Sequence, residues 1–172
     1  DSAHASAPWL AKNAIEETSS VVTELKNSLE LDQEDKSKGM MLTAVLTEIR
    51  GGTSHNVTPI ECVATVDIRI PVDMNCNYVE EKITNIINEI SKDRDIEVLY
   101  SIIDETEPFE AEHNSPLVRA ITLSVLDIEK KRPILIRKTG TGDMNVIGNQ
   151  LNIPVVTYGP GDPHEAHTVD EK

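Results

Sequence analysis

The sequence predicts an α+β module of the ferredoxin-like β-α-β-β-α-β type without its first strand, followed by shorter α/β alternation. Three observations carry that expectation. A helical period, two strand-like stretches, a second helical period and a third strand-like stretch succeed one another from residue 11 to residue 103. The stretch 60–70 alternates strictly, with Ile60, Cys62, Ala64, Val66, Ile68 and Ile70 on one side and Glu61, Val63, Thr65, Asp67 and Arg69 on the other. Beyond an acidic, Pro-containing loop at 104–112, continuous apolar strands alternate with helices, as in a buried parallel sheet. The expected division is 1–106 and 107–172, with the absent first strand falling just before Asp1.

Each element has its own signal. After Pro8, Ala11, Ile15, Val22, Leu25 and Leu29 recur at helical spacing. A polar loop from Asp32 to Lys38, closed by Gly39, precedes a strand over 41–49 that stops at Gly51-Gly52. Pro71 ends the alternating strand, and Val79, Ile83, Ile86, Ile87 and Ile90 mark a second helix. Residues 96–103 read as a strand. Ser115 is a candidate N-cap with Pro116 at the first helical position, leading a helix to about Ile128. Residues 133–137 and 153–157 read as short strands flanking a tight turn at 139–142 and a short helix over 144–151.

Composition narrows the function classes. The chain of 172 residues has 16 Lys+Arg against 30 Asp+Glu, a net charge of −14, which argues against nucleic-acid binding because phosphate neutralisation needs basic stripes. With 38% hydrophobic and only 3% aromatic residues, it builds its core from Ile, Val and Leu. The two cysteines support neither a disulfide scaffold nor a Cys-rich zinc finger, and fit a reducing, cytoplasmic compartment. No stretch reaches the ~18 apolar residues of a membrane span, and no signal region opens the chain. The first residue is Asp1 and the last Lys172, and both ends read as cut.

Several constellations offer chemistry. His164 and His167 follow a Gly-Pro-Gly turn beside two carboxylates, where a metal site and a solvated polar loop are both open readings. Thr139-Gly140-Thr141-Gly142 lies between a strand and a helix, as an anion-holding turn or an ordinary one. It is neither a Walker A loop nor G-x-G-x-x-G. The donor-rich loop 51–59 reads as a recognition loop or a flexible hairpin tip, and its Asn56-Val57-Thr58 sequon as chance. Arg69, beside Asp67, is either one half of a surface ion pair or a guanidinium fork for a carboxylate. His113 reads as part of a solvated loop.

In this order the segments are more specific than any one alone. Ala3-His4-Ala5-Ser6-Ala7-Pro8 with Asn13-Ala14-Ile15, then Gly51-Gly52 with Asn56-Val57-Thr58-Pro59, then Asp67-Ile68-Arg69, resemble the lid (dimerisation) domain of the zinc amidohydrolases typified by acetylornithine deacetylase and succinyl-diaminopimelate desuccinylase. Arg137 to Asn145 and Tyr158 to Glu171 resemble the closing part of that family's catalytic domain. The wording is most similar to the branch that releases lysine or ornithine from an amino-group carrier protein.

The resemblance implies a homodimer paired through the lid and an α/β zinc-peptidase-like segment after it. It implies two zinc ions, or cobalt, in the parent enzyme, with His167 as the last metal ligand and no role assigned to His164 or His55. His4 would reach into the partner's site to stabilise an oxyanion. Asn56 would contact substrate from the same lid, Arg69 would hold its carboxylate, and Thr139, Gly140, Thr141 and Gly142 would cradle its backbone, with Gly142 where many relatives carry Ser. The substrate would be a carrier protein or a small N-acyl amino acid, with acetylornithine and succinyl-diaminopimelate as alternatives. The remaining metal ligands and the general base would lie upstream, so the chain alone is expected to be inactive. An expectation of another class is a non-catalytic dimerisation or regulatory module.

Overall fold

The computed structural model describes residues 2–31, 33, 40–137 and 140–159, and these fall into two compact units. Among them, the first comprises 2–31, 33, 40–108 and 140, the second 109–137 with 141–159.

In the first unit, a short 3₁₀ turn at Pro8–Leu10 precedes helix α1, Ala14–Glu30. The helix begins at Ala14 rather than Ala11 because Asn13 caps it, its Oδ1 accepting from the Ile15 N–H at 3.0 Å. Glu16 and Glu17 in the first turn complement the positive end of the helix dipole. Val21, Leu25 and Leu29, four residues apart, form its buried face.

Strands β1 (Thr43–Gly51) and β2 (Cys62–Arg69) pair antiparallel as a two-stranded ribbon. Ala44 faces Ile68 and Leu46 faces Val66, and then one extra residue, Thr47, bulges out before Glu48 faces Thr65. The bulge resets the alternation so that Ile49 opposite Ala64 continues the same side of the ribbon as Ala44 and Leu46. Without it, Ile49 would turn to the face bearing Val45, Asp67 and Arg69.

Helix α2, Cys76–Arg94, is capped by Asn75, whose Oδ1 accepts from the Tyr78 N–H at 2.9 Å. Its C-terminus closes on Asp95 in the left-handed region, where the Lys12 ammonium donates to the carbonyls of Arg94 (2.6 Å) and Asp95 (2.5 Å). Arg94 reaches across to Glu17 and Glu24 of α1. The core is Leu25 and Leu29 of α1, Leu42 and Ala44 at the start of β1, and Val79 of α2, with Val66, Ile68, Ile70, Met74, Ile83 and Ile86 packed against it. Helix α1 therefore packs on one side of the ribbon and against α2, whose Val79 joins the same core.

In the second unit, Ser115 caps helix α3 (Pro116–Glu129) through a bond from the Val118 N–H. Helix α4 (Asp143–Leu151) begins at Gly142, whose N–H donates to the Asn145 side chain at 3.2 Å. Gly148 of α4 is required by contact: a Cβ there would run into the Phe109 ring.

Three expected strands, 96–103, 133–137 and 153–157, join no ladder among the described residues. Apolar β-formers give a stretch its propensity, but a strand exists only where a neighbour takes up its N–H and C=O groups. Leu99, Ile103 and Ile134 stay 83 to 86% exposed, so these runs have the composition of buried strands without the partners. The α/β character expected for the second unit is thus carried, among the described residues, by its helices.

Candidate functional site

The recognition loop joins β1 to β2 and is tied to the segment carrying His4. Val57 and His4 form an isolated antiparallel bridge. The Ala5 N–H donates to the Asn56 carbonyl at 2.8 Å and the Thr58 N–H to the Ala3 carbonyl at 2.9 Å. At the far end of the same arm, the Ala14 N–H donates to the Pro59 carbonyl at 3.0 Å. Ile15 lies over Gly51, leaving no room for a Cβ, and Gly52 takes a positive φ of 79° to turn the chain away. The arm from Ala3 to Ala14 thus leaves and returns to a single loop.

On that arm, Ser6 fixes the imidazole. Its backbone N–H donates to His4 Nδ1 at 3.2 Å, and its hydroxyl lies 2.8 Å from the same nitrogen. With Nδ1 accepting, the neutral ring carries its proton on Nε2, an exposed donor. Asn56 is also exposed, its Oδ1 accepting from the Ser54 hydroxyl at 2.7 Å. Trp9, 79% exposed, and Leu10 make an apolar knob on the arm, while His55 is exposed in the loop. The sequence reading passed over Ser6 and Thr58, although a serine two residues after a histidine is the spacing at which a turn returns an N–H to the ring.

Arg69 stands elsewhere. It closes β2 opposite Thr43, whereas the recognition loop leaves the ribbon at Gly51 and Cys62. Seven residues of strand separate the two ends, about 23 Å at ~3.3 Å per residue. The guanidinium forms a two-pronged fork with Asp67, Nε to Oδ1 at 2.6 Å and Nη2 to Oδ2 at 2.7 Å. His4 and Asn56 are therefore brought together, and Arg69 is not brought to them.

In the second unit, Thr141 is exposed and Gly142 half-buried with its N–H engaged by Asn145; in the first, Gly140 is exposed. Open space surrounds a Cβ built at Gly142, so serine fits there. Thr139, His164 and His167 lie outside the described residues. Among those described, no three His, Cys, Asp or Glu side chains assemble to hold a metal ion. His113, read as solvated loop, approaches Glu110 Oε1 at 3.6 Å, the same oxygen that accepts from Arg137 Nε at 2.7 Å. No helix among the described residues is long and apolar enough to cross a membrane.

Burial, with the nearby charges of Glu107 and Glu105, pushes the Cys76 thiol up to about 11. The thiol is protonated at neutral pH and is not a nucleophile.

A ribbon packed on a helix that in turn packs on a second, with an imidazole displayed on an arm at one end, defines a module that presents side chains outward rather than enclosing a site of its own. The chain belongs to the M20 peptidase family through its peptidase dimerisation domain, which matches residues 1–95. A LysW-lysine/LysW-ornithine hydrolase of Saccharolobus islandicus is 38% identical over 128 residues, 74% of this chain and 34% of that protein. A putative LysW-lysine/LysW-ornithine hydrolase of Pyrobaculum aerophilum is 31% identical over 98% of this chain and 44% of its own length. The chain therefore spans about a third to under a half of the curated relatives it matches. In fold it is similar to an M20 metallo-carboxypeptidase from Sulfolobus solfataricus (TM-score 0.63, 15% identity, 89% of this chain and 46% of that one). It is also similar to aminopeptidase PepT from Bacillus cereus (TM-score 0.58, 20% identity, 87% and 38%).

Proposed function

We propose that this chain supplies the lid and the C-terminal catalytic segment, 1–106 and 107–172, of a homodimeric amide hydrolase that releases lysine or ornithine from an amino-group carrier protein. The observation that carries this reading is the pairing of the His4 arm with the Asn56 loop. There Ser6 engages Nδ1 and leaves Nε2–H as an outward donor. A fixed N–H donor matters where an attacked amide carbonyl becomes an oxyanion, because its bond strengthens as that charge develops. Asn56 would bind a polar group of the same substrate, and Arg69 of the other lid its carboxylate.

The ~23 Å between the two ends of the ribbon is too long for one small substrate to span. In the proposed dimer, His4 and Asn56 of one lid therefore serve the partner's site while Arg69 serves another. Zinc is the cofactor this reading implies, with ligands beyond the described residues. The first unit's lid is taken to be a ferredoxin-like sheet in which an additional strand pairs with 96–103. Two unpaired thiols, Cys62 and Cys76, suit the cytoplasm. Small N-acyl amino acids such as acetylornithine and succinyl-diaminopimelate are the alternative substrates.

The experiment joins this chain to the portion of a LysW-lysine/LysW-ornithine hydrolase that it does not match and follows lysine release. His4→Ala should lower kcat by on the order of a hundredfold or more with little change in KM. The unfused chain should show no hydrolysis. Equal turnover by the His4→Ala and unsubstituted fusions overturns the reading. A second reading, a non-catalytic dimerisation module, is favoured by the match of residues 1–95 to a peptidase dimerisation domain. It predicts a dimer in sedimentation and no turnover in the fusion.

A further inference from the structure

We propose that Thr58 is the positioning residue of the His4 arm, its hydroxyl completing the bridge that ties the His4 backbone to the loop. This rests on the catalytic reading of His4 only for its consequence in turnover. Ala3 and Thr58 stand opposite each other where an antiparallel pair would exchange two backbone bonds. One is made, from the Thr58 N–H to the Ala3 carbonyl at 2.9 Å.

For the other, the Ala3 N–H donates to Thr58 Oγ1 at 2.7 Å, so the hydroxyl replaces the carbonyl that a regular ladder would offer. The same hydroxyl donates to the Ala3 carbonyl at 3.2 Å, using that oxygen's second lone pair. Thr58 is 7% exposed, one of only three buried polar residues among those described. The next carbonyl, Pro59, is committed to the first turn of α1 through Ala14. No other group of the loop takes up the Ala3 N–H. Valine keeps the shape of threonine and lacks this hydroxyl, whereas serine keeps the hydroxyl.

The test is amide exchange and imidazole ¹⁵N shifts on the 172-residue chain, comparing Thr58→Val and Thr58→Ser with the parent. In Thr58→Val the Ala5 amide should exchange about tenfold faster or more. The His4 ring should move from the Nε2–H tautomer toward a mixture, while the Val79 and Ile87 amides of α2 keep their protection. Thr58→Ser should restore both signals. An Ala5 amide unchanged in Thr58→Val, or a Thr58→Ser chain behaving like Thr58→Val, overturns the assignment.

Should Thr58→Val not fold, the unsubstituted chain decides: the Thr58 hydroxyl proton should exchange slowly with water, and exchange as fast as a free hydroxyl overturns the proposal. In the fusion enzyme, Thr58→Val should lower kcat about tenfold with KM held, rescued by serine. A His4 substitution that left turnover intact would remove the catalytic reading alone, because the exchange data judge Thr58 separately.

Discussion

Replacing Gln33 by methionine tests how the end of α1 is joined to β1. Gln33 is buried and its carboxamide makes three bonds. Oε1 accepts from the Leu42 N–H at 2.6 Å, and Nε2 donates to the carbonyls of Leu42 (3.1 Å) and Leu29 (3.0 Å). Leu29 lies in the last turn of α1, where carbonyls have no intrahelical partner, and Leu42 is fully buried. Methionine has a similar length and none of these polar atoms, so one donor and two acceptors are orphaned together. At ~1–3 kcal/mol for each buried unsatisfied group, with water relieving part of it, the loss is about 3–6 kcal/mol. For a chain of this size that lowers Tm by roughly 6–20 °C. Urea unfolding followed by circular dichroism reads the loss, and a change below about 1 kcal/mol would refute the reasoning. Gln33→Glu adds a pH signature. A buried carboxylate facing two carbonyl oxygens has its folded-state pKa raised, so the variant should be least stable near pH 7 and regain stability as the pH falls and the group takes up a proton.

Gly51→Ala should destabilise the first unit by about 1–3 kcal/mol, because the new Cβ would stand 2.9 Å from Ile15 Cγ1, 3.0 Å from the Glu61 carbonyl and 3.1 Å from Cys62 Cβ. Adding Ile15→Ala should recover only part of it, since the Glu61 backbone stays; thermal melts of the three variants check this. Cys76, raised from 9.0 to about 11 in the folded chain, gives stability that is complete below pH 9 and is lost as the pH rises to 11. Across that window the chain should lose on the order of 2 kcal/mol relative to Cys76→Ala, and near pH 8 an alkylating reagent should modify Cys62 before Cys76.

The helices were legible because each carries its own proof. A 3.6-residue period and a cap such as Ser115 followed by Pro116 are local signals that the structure then bears out. The bulge at Thr47 was not legible, because only the partner strand reveals that Leu46 and Ile49, three apart, belong to one face. The stretches 96–103, 133–137 and 153–157 failed for the complementary reason. Their composition is that of strands, yet pairing is a property of two segments and cannot be read from one. Thr58 escaped notice because the role of its hydroxyl depends on which residue arrives opposite it, 55 residues earlier in the chain.

The same distinction separates the two halves of the candidate site. His4 and Asn56 lie far apart in sequence, and a bridge holds them together whose donors and acceptors are almost all backbone groups. Their proximity is therefore a consequence of the loop's path and tolerates many side chains, except at Thr58, where a side chain stands in for backbone. Arg69 is only 13 residues from Asn56, yet β2 carries it about 23 Å from Cys62, where the loop leaves the ribbon, because an extended strand converts sequence distance into length at ~3.3 Å per residue. A helix over those seven residues would have advanced less than half as far, at ~1.5 Å per residue. A rigid strand of that length separates the His4 arm from the Arg69 guanidinium more reliably than a flexible linker. In the proposed dimer that separation would let one lid serve two sites, which a single enclosed pocket would not need.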